Sequence, residues 1–307
     1  MPAMNCLIIG GGPAGLTAAI YLARFHLGVV VIDAGDSRTN LIPRTRNHAG
    51  FPEGISGVDL LARMRAQAQL YGVDIRTERV DRLAQTNDGF VANAEAGTLR
   101  ARLVLLATGV VNRRPSMISD SNHARALAGG QLRYCPICDA YEATGRRIAV
   151  LGTGERGFNE ASFLRSYSAD VTLVAPEGGH DLSLGQRQAL AEAGIEIAAV
   201  CDAIELIEGQ WVTLHVDGVS MRFDTLYPAL GSDIRSELAA QVGADRSEDG
   251  CLTVDAHQRT SVAGLYAAGD VVLGLDQISH AMGEGGVAAT TMRNDLARQE
   301  VLYRAAR

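Results

Sequence analysis

The feature that most constrains this chain is a glycine-rich turn that occurs twice, each time between an apolar strand and a helical segment. Residues 10–15 read Gly-Gly-Gly-Pro-Ala-Gly, and residues 152–157 read Gly-Thr-Gly-Glu-Arg-Gly. An apolar segment follows each helix, so each turn belongs to a βαβ unit. Two such units within 307 residues predict an α/β chain with two Rossmann-like, three-layer domains.

The first turn has the residues that a bound dinucleotide requires. Gly10 permits the tight turn, Gly12 lets the backbone approach a pyrophosphate, and Gly15 lets the helix pack closely on the strand. Asp33 ends the next strand, where a carboxylate can accept a hydrogen bond from a ribose hydroxyl. Strand, helix and acid in register favour a nucleotide site over an ordinary glycine turn.

Composition narrows the possible chemistry. All 28 basic residues are arginine, which excludes Schiff-base catalysis, pyridoxal phosphate anchoring and a Walker-A lysine. The net charge of −7 provides no electrostatic footprint for nucleic acid or an anionic membrane. Five sparse cysteines argue against a secreted disulfide framework. The sequence contains no run of about 18 apolar residues, so we expect no transmembrane helix. We therefore expect a cytoplasmic location.

The segment Cys135-Pro-Ile-Cys138 is the second candidate site. Such a pair is typical of half a zinc site or of a redox pair, and two buried structural cysteines are the plain alternative. No second Cys or His pair has zinc spacing, so we expect no metal and favour thiol–disulfide exchange. Asp139 follows directly and could exchange a proton with a thiolate.

Cysteines and histidines elsewhere have no such spacing. Cys6, Cys201 and Cys251 lie in or beside apolar segments and are expected in the core. A further group of histidines is scattered without metal spacing and is expected at the surface: His26, His123, His180, His215 and His257.

A third motif, Ala267-Ala-Gly-Asp270, follows an apolar segment late in the chain. A carboxylate at this position suits the hydroxyls of a polyol chain. A surface turn with a capping Asp would have the same sequence pattern and is the alternative. Gln277-Ile-Ser-His280 precedes a helix whose positive end could face a developing anion. Because this motif follows the second glycine turn, the second domain is expected to be inserted in the first.

These motifs together carry a family resemblance. The chain resembles the low-molecular-weight thioredoxin reductases, FAD-dependent members of the pyridine nucleotide–disulfide oxidoreductases. The resemblance rests on residues 10–15, Ala107-Thr-Gly109, Tyr134-Cys-Pro-Ile-Cys-Asp139, and Ala267-Ala-Gly-Asp270 followed by Gln277. It implies an FAD domain of residues 1–113 and 233–307, with an inserted pyridine-nucleotide-binding-like domain of residues 114–232. It also implies a homodimer.

The resemblance assigns roles to individual residues. Cys138 would face the flavin, Cys135 would attack the substrate disulfide, and Asp139 would be the acid–base group. His280 would be either a proton relay or a helix-start residue bonded to the backbone. The FAD contacts that it implies are Gly10, Gly12, Pro13, Ala14, Gly15, Asp33, Asn47, Val80, Thr108, Gly109, Gly269, Asp270, Gln277 and Ile278.

Two departures from the family pattern bear on the electron donor and the flavin site. NADPH-using members carry His-Arg-Arg where this chain reads Ala175-Pro-Glu177, and a 2′-phosphate needs guanidinium partners. The residue before Gln277 is Asp276, where the family has Arg. We therefore expect a donor other than NADPH, such as NADH, ferredoxin or flavodoxin.

The resemblance leaves the direction of electron flow open. The substrate is expected to be a thioredoxin-like protein or a small-molecule dithiol or disulfide. An O₂-dependent dithiol oxidase and a non-catalytic, flavin-binding redox sensor are the alternatives.

Overall fold

The computed structural model describes residues 4–207, 210–299 and 302, and these form two compact units. The first unit comprises Met1–Ile42, Ile55–Val111 and Ile234–Arg307, and the second comprises Pro43–Gly54 and Asn112–Asp233. The α/β fold class is as predicted. The segment Pro43–Gly54 groups with the second unit, which the sequence did not indicate. The nucleotide that each unit binds stays a prediction.

The elements of the described residues follow in chain order. They are β1 (Met4–Ile9), α1 (Pro13–Arg24), β2 (Val29–Asp33), α2 (Gly57–Leu70), β3 (Asp74–Thr77), β4 (Val80–Thr86), β5 (Gly89–Ala94), β6 (Gly97–Leu106), β7 (Val110–Asn112), α3 (Asp120–Ala128), α4 (Pro136–Asp139), β8 (Ile148–Gly152), α5 (Gly154–Leu164), β9 (Val171–Ala175), α6 (Leu184–Glu192), β10 (Glu196–Leu206), β11 (Val212–Val216), β12 (Val219–Phe223), β13 (Thr225–Ala229), β14 (Ser232–Ile234), α7 (Glu237–Gln241), β15 (Leu265–Ala267) and α8 (Ile278–Gln299). Short 3₁₀ helices span Arg38–Leu41 and Ala140–Ala143.

The sheet of the first unit is parallel at its centre. Strand β1 pairs in parallel with β2 and β6, β2 pairs with β3, and β15 pairs in parallel with the last residues of β6. The first residues of β6 pair antiparallel with β5, which in turn pairs antiparallel with β4. Strand β6 therefore changes partner along its length, from β5 at its start to β1 and β15 at its end.

Both faces of this sheet are covered, which explains the near-continuous apolar strands. Along β1, Cys6 and Ile8 pack in the core cluster that includes residues of α1 and α8, whereas Leu7 and Ile9 pack in the cluster of the opposite face. This alternation follows from the two-residue period of a strand. The result is the three-layer arrangement expected of a Rossmann-like domain.

The second unit repeats the parallel order. Strand β8 pairs in parallel with β9 and β13, and β9 pairs in parallel with β10. An antiparallel extension of β11 and β12 follows from β10. Every residue of β8, β9 and β13 is buried, as in a central parallel sheet. Over residues 4–207, 210–299 and 302, no helix is long and apolar enough to cross a bilayer.

Candidate functional site: a glycine turn and a disulfide pair

The first glycine turn is closed by contacts that only glycine allows. Gly10 has φ +113°, in the region that favours glycine, and a Cβ there would overlap the Ala107 carbonyl oxygen. A Cβ on Gly15 would overlap the Gly10 carbonyl oxygen. These two glycines therefore serve the close packing of α1 on the strands.

Gly12 differs from Gly10, Gly11 and Gly15 because a Cβ at this position would not overlap another atom. It is the N-cap of α1 and has extended backbone, with φ −79° and ψ −173°, and no side chain caps the helix. A Cβ there would meet only Ser37 Oγ, at 3.4 Å, within 4 Å. Uncapped amides at a helix N-terminus, with room for an anion to approach, fit the pyrophosphate of FAD.

Asp33 stabilises the turn through a hydrogen bond to its backbone. It is buried, its Oδ1 accepts a hydrogen bond from the Gly11 amide at 3.1 Å, and its Oδ2 pairs with Arg65. A Cβ on Gly11 would lie 2.5 Å from the Asp33 carboxyl carbon, so this glycine is also required. The structure thus gives Asp33 two partners within the protein. Its predicted contact with a ribose stays a prediction.

A cation that the sequence did not single out lies beside Asp270. Arg38 Nη1 is 2.9 Å from Asp276 Oδ2 and 3.7 Å from Asp270 Oδ2. Burial raises the pKa of Asp270 to about 6, against the lowering effect of Arg38. The chain therefore has an arginine at this site, supplied by a distant 3₁₀ helix rather than by the position before Gln277.

His280 forms part of a side-chain pair at the start of α8. Its Nε2 is 3.0 Å from Glu284 Oε1, and Glu284 Oε2 accepts a hydrogen bond from the Gly269 amide at 2.7 Å. His280 is thus paired with a carboxylate, and burial raises the pKa of that carboxyl. The i,i+4 spacing of the pair is visible in the sequence, but the helix was expected to begin only after His280, whereas it begins at Ile278.

The remaining predicted FAD contacts divide between the two units. Val80 is buried in the core, and the Thr108 hydroxyl donates to the Arg235 carbonyl oxygen at 2.6 Å. Asn47 lies in the second unit, where its amide nitrogen donates to the Ile137 carbonyl oxygen at 3.4 Å. The other predicted contacts lie in the first unit: Pro13, Ala14, Gly109, Gly269, Gln277 and Ile278.

Cys135 and Cys138 form a disulfide in the second unit. Their Cα atoms are 5.2 Å apart, and the Cys138 amide donates to the Cys135 carbonyl oxygen at 2.9 Å. Both cysteines are half-buried, and Ile137 between them is exposed. Cys6 and Cys201 are buried free thiols, and Cys251 is a half-buried one. The alternative of two buried structural cysteines does not match the burial, since neither cysteine is fully buried.

Asp139 is fixed beside the disulfide by two residues. Its Oδ1 accepts a hydrogen bond from the Tyr227 hydroxyl at 2.9 Å, and its Oδ2 accepts one from Arg133 Nη1 at 3.0 Å. Burial raises the pKa of Asp139, against the lowering effects of Arg133 and Tyr227. Burial thus favours the protonated form of Asp139, the form that can give a proton to a thiolate. Tyr227 is fully buried in β13, and no sequence signal links it to Asp139.

The expectation that His123 lies at the surface is wrong. The side chain is 2% exposed, and its Nε2 is 2.9 Å from the Tyr134 hydroxyl. Burial lowers the pKa of His123 to about 4, which keeps the imidazole neutral near neutral pH. It lies on α3, a helix that the sequence pattern did not indicate.

The second glycine turn keeps its close packing, and its surroundings differ from those of the first turn. A Cβ on Gly152 would lie 2.8 Å from the Ala229 Cβ, so the close approach is retained. The Thr153 hydroxyl, however, accepts a hydrogen bond from the Asp181 amide at 2.5 Å, and the first turn of α5 carries Glu155. The Arg156 guanidinium lies 3.2 Å from the position of a Cβ on Gly231.

The residues at the end of β9 are those compared above with the family pattern. Ala175 is the last residue of the strand, and exposed Glu177 follows two residues later. The expectation of a donor other than NADPH, which rests on the family pattern at these positions, stays a prediction. Among the described residues no group of three or more His, Cys, Asp or Glu is arranged to hold a metal.

With the turn and the disulfide established, the class of protein follows. The chain belongs to the pyridine nucleotide-disulphide oxidoreductase family, which matches residues 4–285. It is 32% identical to a thioredoxin reductase of Streptomyces clavuligerus over 286 residues, which cover 87% of this chain and 86% of that protein. It is also 32% identical to a thioredoxin reductase of Mycolicibacterium smegmatis over 311 residues, with 96% and 97% coverage.

A solved structure agrees with these sequence relatives. The crystal structure of thioredoxin reductase from Streptococcus pyogenes is 25% identical and superposes with a TM-score of 0.86, covering 96% of this chain and 99% of that one. The protein is thus a thioredoxin reductase-like, FAD-dependent disulfide oxidoreductase, as the resemblance implied.

Proposed function

We propose that this enzyme passes two electrons between FAD and a dithiol or disulfide substrate through Cys135 and Cys138. The observation that carries the proposal is the Cys135–Cys138 disulfide, next to an Asp139 that Arg133 and Tyr227 fix by hydrogen bonds. Two sulfurs three residues apart can open and close in exchange with a substrate.

FAD would bind to the first unit. Gly12 and the uncapped N-terminus of α1 would hold the pyrophosphate, and Asp270 beside Arg38 would face the ribityl hydroxyls. The flavin supplies a two-electron acceptor and donor. The chain's own contribution there is to bind and orient it.

The thiol exchange would be carried by three side chains of the second unit. With both cysteines reduced, the Cys135 thiolate attacks a substrate disulfide, one substrate sulfur leaves as a thiolate, and Asp139 gives that sulfur a proton. The Cys138 thiolate then attacks Cys135, which reforms the disulfide and releases the second substrate sulfur. The same steps in reverse oxidise a substrate dithiol. By the family resemblance, Cys138 is the sulfur that faces the flavin.

The electron donor is proposed to be other than NADPH. The second glycine turn carries Glu155 in its first helical turn, and Glu177 follows β9 where a 2′-phosphate would lie. NADH, reduced ferredoxin and flavodoxin remain candidate donors. A thioredoxin-like protein and a small dithiol remain candidate substrates. A homodimer stays a prediction of the resemblance, and a cytoplasmic location stays a prediction from composition.

An anaerobic titration of the flavin absorbance tests this function. We expect dithiothreitol to bleach the flavin of the wild type and not that of the Cys138→Ser variant. We expect micromolar NADPH to leave the wild-type flavin oxidised over the same period. A flavin that dithiothreitol does not change would contradict the enzymatic proposal and favour a redox sensor. Rapid bleaching by NADPH would contradict the donor proposal alone.

A further inference from the structure

Glu160 lies close to the disulfide segment without a structural task of its own. It is on α5, which contacts α4, the short helix that carries Cys138 and Asp139. The residue is half-buried as a whole, but its Oε1 atom is enclosed and has no hydrogen-bond partner among the described residues. Buried polar atoms are nearly always paired, so such an atom calls for an explanation.

Glu160 belongs to a group of interacting polar residues around Asp139. Tyr227, which donates to Asp139, also interacts electrostatically with Arg133 and Glu160. Arg133 contributes a second enclosed atom without a partner, its Nε. This group thus encloses two polar atoms without a hydrogen-bond partner among the described residues, which is costly at low local dielectric.

The charges that face Glu160 come from two elements. Arg156 lies one turn earlier on α5 and favours the carboxylate, and Asp139 on α4 disfavours it. Burial is the largest influence and raises the pKa of Glu160 to about 7. A buried carboxyl that accepts no hydrogen bond has a lower free energy in its neutral form than in its charged form. Near neutral pH, Glu160 is therefore poised between its two protonation states.

We propose that Glu160 is a positioning residue whose neutral form lets Asp139 gain and lose the proton of thiol exchange. The inference rests on the proposed function. When Asp139 gives its proton to a leaving sulfur, it becomes a carboxylate that Arg133 and the Tyr227 hydroxyl stabilise. Neutral Glu160 adds no charge, so the cluster does not hold two buried negative charges at once. Ionised Glu160 would instead oppose the charge that Asp139 must take up.

The role predicts a pH dependence that an isosteric amide removes. Glu160→Gln is permanently neutral and of the same shape, so it should support turnover at acidic pH as the wild type does. For a single proton with a pKa of about 7, the active fraction of the wild type falls about tenfold from about pH 6 to about pH 8. The ratio of Glu160→Gln to wild-type turnover should therefore rise about tenfold over that range. The ratio cancels the titration of the thiol substrate itself.

The test compares three holoenzymes in dithiothreitol-driven flavin reduction from about pH 6 to about pH 8. Glu155→Gln, an exposed residue on the same helix, is the matched control and should track the wild type at every pH. Infrared difference spectra of wild type minus Glu160→Gln should show the carbonyl stretch of a protonated carboxyl at pH 6. A constant activity ratio, or no such carbonyl band, would overturn the proposal. A wild type that dithiothreitol does not reduce would instead refute the proposed function, so the two failures are distinguishable.

Discussion

Replacing Gly12 by alanine distinguishes the effect of this position on FAD binding from its effect on the stability of the fold. A Cβ at this position meets only Ser37 Oγ at 3.4 Å, and the backbone angles suit any residue. The free energy of unfolding of the apoprotein should therefore fall by no more than about 1 kcal/mol, since alanine is a poorer N-cap than glycine. On the proposed placement of the pyrophosphate, the same methyl group would also stand in the way of a phosphate that approaches the α1 amides. The loss of one charge-assisted hydrogen bond to a phosphate costs about 1.5–3 kcal/mol, which weakens FAD binding roughly ten- to a hundredfold.

Fluorescence titration of FAD into apoprotein measures this dissociation constant, and urea unfolding of the same preparations measures stability. Gly185→Ala is the matched control, since a Cβ there meets nothing within 4 Å and the residue lies in α6 of the second unit. It should leave FAD affinity unchanged. Wild-type affinity in Gly12→Ala would refute the placement of the pyrophosphate. A large loss of apoprotein stability would refute the separation of the two effects.

Two further predictions concern stability. Gly15→Ala, whose Cβ would overlap the Gly10 carbonyl oxygen, should destabilise the apoprotein by several kcal/mol in urea unfolding, and a wild-type midpoint would contradict the packing described here. The hydrogen bonds from Arg259 and the Tyr266 hydroxyl hold the pKa of Asp295 below its usual range. The stabilisation that follows is complete above the pKa of Asp295 in the unfolded chain and is lost as the pH falls through its pKa in the folded protein. Asp295→Asn should thus lower the melting temperature at neutral pH and have a smaller effect near pH 3; equal effects at both pH values would refute the linkage.

Local patterns in the sequence were sufficient to predict the glycine turns and the strands beside them. The roles of Gly10 and Gly15 depend on neighbours within one βαβ unit, and the spacing of that unit is visible in the sequence. The disulfide was predictable for the same reason, because Cys135 and Cys138 are three residues apart. Where the relevant contacts are local, the sequence pattern was a reliable guide.

The missed residues come from distant parts of the chain. Tyr227 is 88 residues from Asp139, and Arg38 is 238 residues from Asp276, so only the tertiary fold brings each pair together. Burial was also hidden, because polar His123 gives no apolar signal and is accommodated by a hydrogen bond to Tyr134. Sequence reasoning thus found the reacting sulfurs but not the side chains that set the charge around them.

The central claim, that the flavin exchanges electrons with this disulfide, is tested most directly by the visible spectrum of two single-cysteine variants. A thiolate that faces oxidised flavin gives a long-wavelength charge-transfer band. We predict that Cys135→Ser shows this band and loses dithiol or disulfide turnover, because the flavin-facing thiolate of Cys138 remains without its exchange partner. Cys138→Ser should lose both. The band in Cys138→Ser but not in Cys135→Ser would reverse the assignment of the sulfurs, and full turnover in both variants would contradict the account.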